Sequence, residues 1–98
     1  MSGPPWLSSG KLREHFTKHG HEVGAATPRD YDVSARETIR RGERFTYTDR
    51  RSGLPRVGYF EPATGRFTGL TDGETVLIAH FVADDHYVRN VLTSSTYT

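Results

Sequence analysis

The apolar residues of this 98-residue chain change their repeat once, near residue 43, and that switch limits the folds open to it. Before it, apolar side chains recur at spacings of three and four; after it, they recur at two. Leu12, Phe16 and His19 fall on one helical face, Ser8 or Ser9 stands ready as a cap, and Gly20 sits where a left-handed C-cap is wanted. A second segment opens with Thr27 as N-cap, Pro28 at the first helical position and Asp30 three residues after the cap. This is a capping-box arrangement with Asp in place of Glu. Tyr31, Ala35 and Ile39 then form an i, i+4, i+8 stripe, and Gly42 closes it. These signals predict helices over 9–20 and 28–41.

Beyond the switch, four segments alternate like strands: 44–49, 56–61, 66–70 and 74–82, separated by turns at 51–55, 62–65 and 71–73. The last is nearly continuous apolar sequence from Thr75 to Val82, as expected of a central strand. Strict alternation puts Val76, Ile78, His80 and Val82 on one face, with Leu77, Ala79 and Phe81 on the other. Short turns imply an antiparallel meander. Residues 86–98 leave room for a short helix or an edge strand ahead of a polar tail. The expected architecture is α+β: two N-terminal helices packed on a four-stranded antiparallel sheet, as one domain over 1–98 with an ordered core of about 8–92.

Composition narrows the function classes. At 34% hydrophobic and 11% aromatic residues, the chain can bury one small core that leans on its aromatics. No apolar run approaches the roughly 20 residues needed to span a bilayer, so no membrane association is expected. The first ten residues lack the basic and apolar regions of a secretory signal. With no Cys there is no disulfide, thiolate zinc site or cysteine nucleophile, which fits a cytoplasmic setting. The initial Met and the lack of a delivery region lead to the expectation of a freestanding intracellular protein. The alternative is a toxin domain delivered into the cytoplasm of a target cell.

The net charge of +1 is unevenly spread. Residues 1–35 are neutral, 36–56 carry seven arginines for a net +4, and 57–98 carry a net −3. Arginine suits phosphate and stacks on aromatic rings. The basic stretch is therefore either a salt-bridged, solvated surface or a face for a polyanion.

Five His in so short a chain is a high count, and three lie in His15-Phe16-Thr17-Lys18-His19-Gly20-His21. His15 and His19 share a helical face at a spacing that can ligate a metal. A His-Glu-x-x-His pattern is missing, however, and a third ligand would have to be His80 or His86. We expect no metal and no cofactor. General acid–base chemistry is the other use of such residues. If His19 and His80 both point into the helix–sheet cleft, one imidazole can deprotonate a ribose 2′-hydroxyl while the other protonates the leaving oxygen. Arg and Lys would stabilise the phosphorane between them. The bland reading of His80 is a satisfied histidine on a sheet face.

The segment 11–24, with Lys18-His19-Gly20 at its centre, resembles the helix that opens many small bacterial polymorphic-toxin ribonuclease domains. There a Lys-His-(Gly/Ala)-x-(Glu/Asp)-Phe-Gly pattern precedes a second helix and a four-stranded sheet. The group is the barnase/EndoU/colicin/RelE-like superfamily, with colicin D-type tRNA nucleases nearest by motif. The turn and strands of 59–67 and a last strand ending in His80-Phe81 match in order and spacing, so the resemblance covers about residues 11–82. It implies a metal-independent endoribonuclease in which His19 is the general base or acid, Lys18 stabilises phosphate charge, and an immunity or antitoxin protein is a candidate partner. Two positions depart from the pattern: Ala79 stands where the family often has Ser or Thr, and Val23 replaces the aromatic before Gly24. His80, beside Ala79, is the expected functional substitute.

Around that centre, His15, Arg44, Tyr47, Arg51, Tyr59 and Arg66 are the expected RNA-binding residues, since aromatics beside arginines form stacking-plus-cation surfaces. Tyr47, Tyr59, Phe60 and Phe67 have core packing as their ordinary alternative. Gly65-Arg66-Phe67-Thr68-Gly69 is not a phosphate loop, no Gly-x-Ser-x-Gly occurs, and Asp84-Asp85-His86 reads as an exposed acidic loop. The expected function is cleavage of RNA, with tRNA among the candidate substrates, by 2′-hydroxyl transesterification. The alternative is a non-catalytic RNA- or protein-binding module of the same fold.

Overall fold

A computed structural model describes residues 3–84 and 96–97, and over these the chain builds two helices and then an antiparallel sheet. Helix α1 (Ser9–His19) starts where Ser8 Oγ accepts the Lys11 N–H at 3.1 Å. Helix α2 (Pro28–Arg41) starts where Thr27 Oγ1 accepts the Asp30 N–H at 3.1 Å, and Gly42 ends it by donating to the Thr38 carbonyl at 2.7 Å. Each cap satisfies a backbone group that a helix end leaves without an internal partner.

Gly20 is not the left-handed cap that its place in the sequence suggests. Its φ is −56°, and the chain runs on through a 3-10 turn (Gly20–Val23) to Gly24, which takes the left-handed conformation at φ 71°. Gly20 is needed for space instead: a Cβ there would lie 2.6 Å from Phe16 Cδ1.

The strands are β1 (Glu43–Thr48), β2 (Pro55–Glu61), β3 (Arg66–Thr71), β4 (Leu77–Val82) and a short β5 (Thr96–Tyr97), in the order β4-β3-β2-β1-β5. Strands β1 to β4 form the antiparallel meander, and β5 pairs with β1 through Phe45↔Tyr97 and Thr46↔Thr96. Residues 85–95, with Asp85, His86 and the upper end of the expected 8–92 core, lie outside the described residues.

Strand β4 differs from expectation in three ways. It begins at Leu77 rather than 74, it occupies a sheet edge rather than the centre, and its register shifts between Gly69 and Leu70. The shift leaves Ile78 out of the pairing and turns Leu77 onto the same face as His80 and Val82. Its apolar run is explained by cover from other elements. The Leu77 N–H donates to the Pro5 carbonyl at 2.8 Å, and the Val82 N–H donates to Glu22 Oε1 at 3.1 Å. Two outward N–H groups of the edge are thus closed off.

Each sheet face has its own apolar cluster. On the helix face, Trp6, Val23, Tyr31, Ala35, Leu70 and Leu77 are buried, with Leu12, Phe16 and Ile39 packed against them. On the opposite face, Phe45 and Phe67 are buried among Tyr47, Phe60 and Phe81. That second cluster fits only because Gly58 and Gly69 lie beneath the rings: a Cβ at Gly58 would sit 2.6 Å from Phe45 Cζ and 2.8 Å from Phe67 Cε2. Gly58→Ala should therefore destabilise the fold by about 1–3 kcal/mol, the usual cost of overpacking. For a domain of this size the melting temperature should drop by at least about 4 °C. A thermal melt that matches the parent protein would show that the rings give way freely.

Candidate active site

His19 ends α1 beside the edge strand β4. Its Nδ1 lies 2.8 Å from Glu22 Oε2, and Glu22 Oε1 accepts the Val82 N–H. The carboxylate is an acceptor only, so Nδ1 carries the proton toward Glu22 and Nε2 is the free lone pair. Burial would raise the Glu22 pKa, but hydrogen bonds from His19 and from the Val82 N–H override it and hold the carboxyl below its usual range. The ring of His19 rests against Phe81 with centroids 5.6 Å apart, and its side chain is 29% exposed. This is an oriented imidazole that solvent can reach.

Other expected residues gather near it. The His15 ring stacks toward His19 with centroids 6.4 Å apart and leans on Trp6 at 5.6 Å. Burial first, and then the neighbouring His19, lower the pKa of His15. Lys18 is exposed on α1. Arg66 donates to the Val23 carbonyl at 3.1 Å, pinning the turn that carries Glu22 onto β3.

His80 is placed differently. It is fully buried, so the expected pair of imidazoles facing one phosphate is replaced by a partly exposed His19 and a core His80. Its Nδ1 lies 2.9 Å from both the Phe67 carbonyl and Thr68 Oγ1, and its Nε2 lies 2.8 Å from Ser34 Oγ. The Phe67 carbonyl can only accept, so Nδ1 donates and Nε2 accepts the Ser34 hydroxyl proton. Thr68 Oγ1 donates to the Ala35 carbonyl at 3.0 Å, and the Tyr31 hydroxyl donates to the His80 carbonyl. Such an environment suits neutral imidazole, and burial pushes the His80 pKa down to about 4. With both nitrogens engaged, His80 is also no third ligand beside His15 and His19, and His86 lies outside the described residues.

The remaining expected binding residues are scattered. Arg44 holds Glu74 at 3.1 Å, and the same carboxylate accepts the Tyr59 hydroxyl. Glu74 reaches both from a left-handed backbone, φ 56°. Tyr47 packs against Phe45 and Phe67 on the other sheet face, and Arg51 is exposed in the β1–β2 turn. Within the basic stretch, Arg36 pairs with Asp32, Arg40 and Arg41 with Glu37, and Arg44 with Glu74. The salt-bridged reading describes these four.

Two contributors were hidden in the sequence. Glu22 stands three residues after His19, a spacing that fits a helical turn, but its second partner is 60 residues away. Trp6, in an unpatterned N-terminal segment, is buried between Tyr31 and His15 and donates to Asp32 Oδ1 at 2.8 Å.

The His80 network makes a stability prediction. Its folded pKa is depressed from 6.5, so its contribution is fully present above about pH 6.5 and is lost as pH falls toward 4. At 1.36 kcal/mol per unit, the loss should be about 3 kcal/mol in urea unfolding across that window. His80→Gln should be less stable at pH 7 and should lack this part of the slope. Equal slopes in the two proteins would place the acid sensitivity elsewhere.

Comparisons with protein families, with curated proteins and with solved structures found no match for this chain.

Proposed function

We propose that this chain is an endoribonuclease that needs no metal and cleaves RNA by attack of a ribose 2′-hydroxyl on the adjacent phosphate, with tRNA among its candidate substrates. The observation that carries the reading is the His19–Glu22 pair. A partly exposed imidazole is fixed in one tautomer by a carboxylate that is itself held by a backbone N–H. His19 Nε2 takes the 2′-hydroxyl proton, the 2′-oxygen bonds to phosphorus, and the phosphorane forms beside the Lys18 ammonium. The 5′-oxygen then leaves and takes a proton from water, and the hydroxide so formed recovers the proton held on His19. The products are a 2′,3′-cyclic phosphate and a 5′-hydroxyl. His80 supports the site from beneath by anchoring β4. An immunity or antitoxin protein that covers this edge is the partner such an activity calls for.

A second reading, a binding module without chemistry, is favoured by the burial of His80, which leaves the site one imidazole short of the expected pair. A cleavage gel separates the two. His19→Ala should reduce cleavage by 10²-fold or more, the usual scale for loss of general acid–base catalysis, and Glu22→Gln should reduce it less. Activity should persist in EDTA, yield the cyclic phosphate, and vanish when the 2′-hydroxyl at the cut site is replaced by hydrogen. Binding of RNA with no cleavage by the parent protein would establish the second reading.

A further inference from the structure

One concave feature lies next to His19 and has no role in the chemistry above. A cleft of about 220 Å³ opens between the N-terminal segment, α1 and β4, lined by Trp6, Leu7, Lys11, His15, Leu77 and Ile78. Its walls are aromatic and aliphatic. Lys11 and His15 are the groups in the lining that can carry positive charge, and Arg13 and Lys18 are exposed on the same helix. Lys11, His15 and His19 succeed one another at intervals of four, so the cleft adjoins His19 at a distance of about one helical turn. The rings of Trp6, His15, His19 and Phe81 form one row, with successive centroids 5.6, 6.4 and 5.6 Å apart.

We infer that this cleft is a nucleobase pocket, which takes the base of the nucleotide flanking the phosphate at His19; the inference rests on the reading of the site as one that acts on RNA. Three properties select that occupant. The volume is below the roughly 300 Å³ at which pockets for larger ligands begin, and so suits a single ring system. The apolar walls, Trp6 and His15 beside Leu7, Leu77 and Ile78, suit the flat ring of a base. Lys11 in the lining, which pairs with Glu14 at 3.5 Å on the exposed side of α1, can turn its ammonium to the phosphate carried on the ribose of that base, a contact an uncharged apolar side chain would not offer. Leu7 is 69% exposed at the mouth, where it would close over the edge of an inserted ring.

The test uses Trp6, the single tryptophan of the chain, as its own reporter. The unmodified protein is titrated with adenosine 3′-monophosphate, which has no phosphodiester to cleave, and Trp6 emission is followed. A saturable change is expected, with ribose 5-phosphate at least tenfold weaker. Leu7→Glu should weaken nucleotide binding tenfold or more by setting a carboxylate at the mouth. Leu7 is mostly exposed, so the melting temperature should be unchanged. No saturable change, an equal response to ribose 5-phosphate, or unaltered binding by Leu7→Glu would overturn the pocket. RNA cleavage measured in parallel keeps the two readings apart. Nucleotide binding without cleavage sinks the enzyme and leaves the pocket, whereas cleavage without nucleotide binding does the reverse.

Discussion

The buried hydrogen-bond network around His80 is the interaction on which the rest of this structure depends. It ties three elements at one point: Ser34 and the Ala35 carbonyl from α2, Thr68 and the Phe67 carbonyl from β3, and both ring nitrogens of His80 from β4. Tyr31 adds a further connection, from α2 to the His80 backbone. Buried polar groups are costly unless every one is satisfied, and here the donors and acceptors interlock. An apolar residue at 80 would leave Ser34 without its imidazole partner. The network therefore specifies how α2 lies across the sheet as well as adding to stability.

The position of β4 follows from that anchor, and the candidate site follows from β4. An edge strand offers unpaired backbone groups. Here the Pro5 carbonyl takes one N–H and the Glu22 carboxylate takes another. Glu22 closes the edge with one oxygen and orients His19 with the other. The groove beside His15 arises from the same arrangement, since Trp6 and Leu77 meet where the N-terminal segment bridges to the strand. Protection of an edge and construction of a cleft are one structural act.

The charge distribution is likewise reshaped by folding. Along the chain, 36–56 is strongly basic. In space, Asp32, Glu37 and Glu74 meet Arg36, Arg40, Arg41 and Arg44, so local repulsion is relieved. Exposed pairs such as those at Glu37 contribute little to stability. Their effect is to lower the field that a polyanion would meet at the end of α2. Exposed cations of α1 stand closer to the proposed chemistry.

Local signals along the chain suffice for the two helices and their starts, the four main strands, and the antiparallel order. Each depends on neighbours a few residues apart: Ser8 and Thr27 as caps, Pro28 at the first helical position, the stripe through Tyr31 and Ala35, and turns too short for parallel crossings. The partly exposed histidine of the candidate site is legible for the same reason, since His19 is set by the phase of α1. Long-range packing, by contrast, makes β4 an edge, turns Leu77 to the helix face through the register shift, and puts His80 in the core. Those outcomes turn on contacts 46 residues apart for Ser34 with His80 and 60 apart for Glu22 with Val82. The pattern of alternation is the same whether an imidazole ends in water or against a serine, a threonine and a carbonyl. Packing across the sheet makes that choice, because only there do desolvation and hydrogen bonding set the cost of each position.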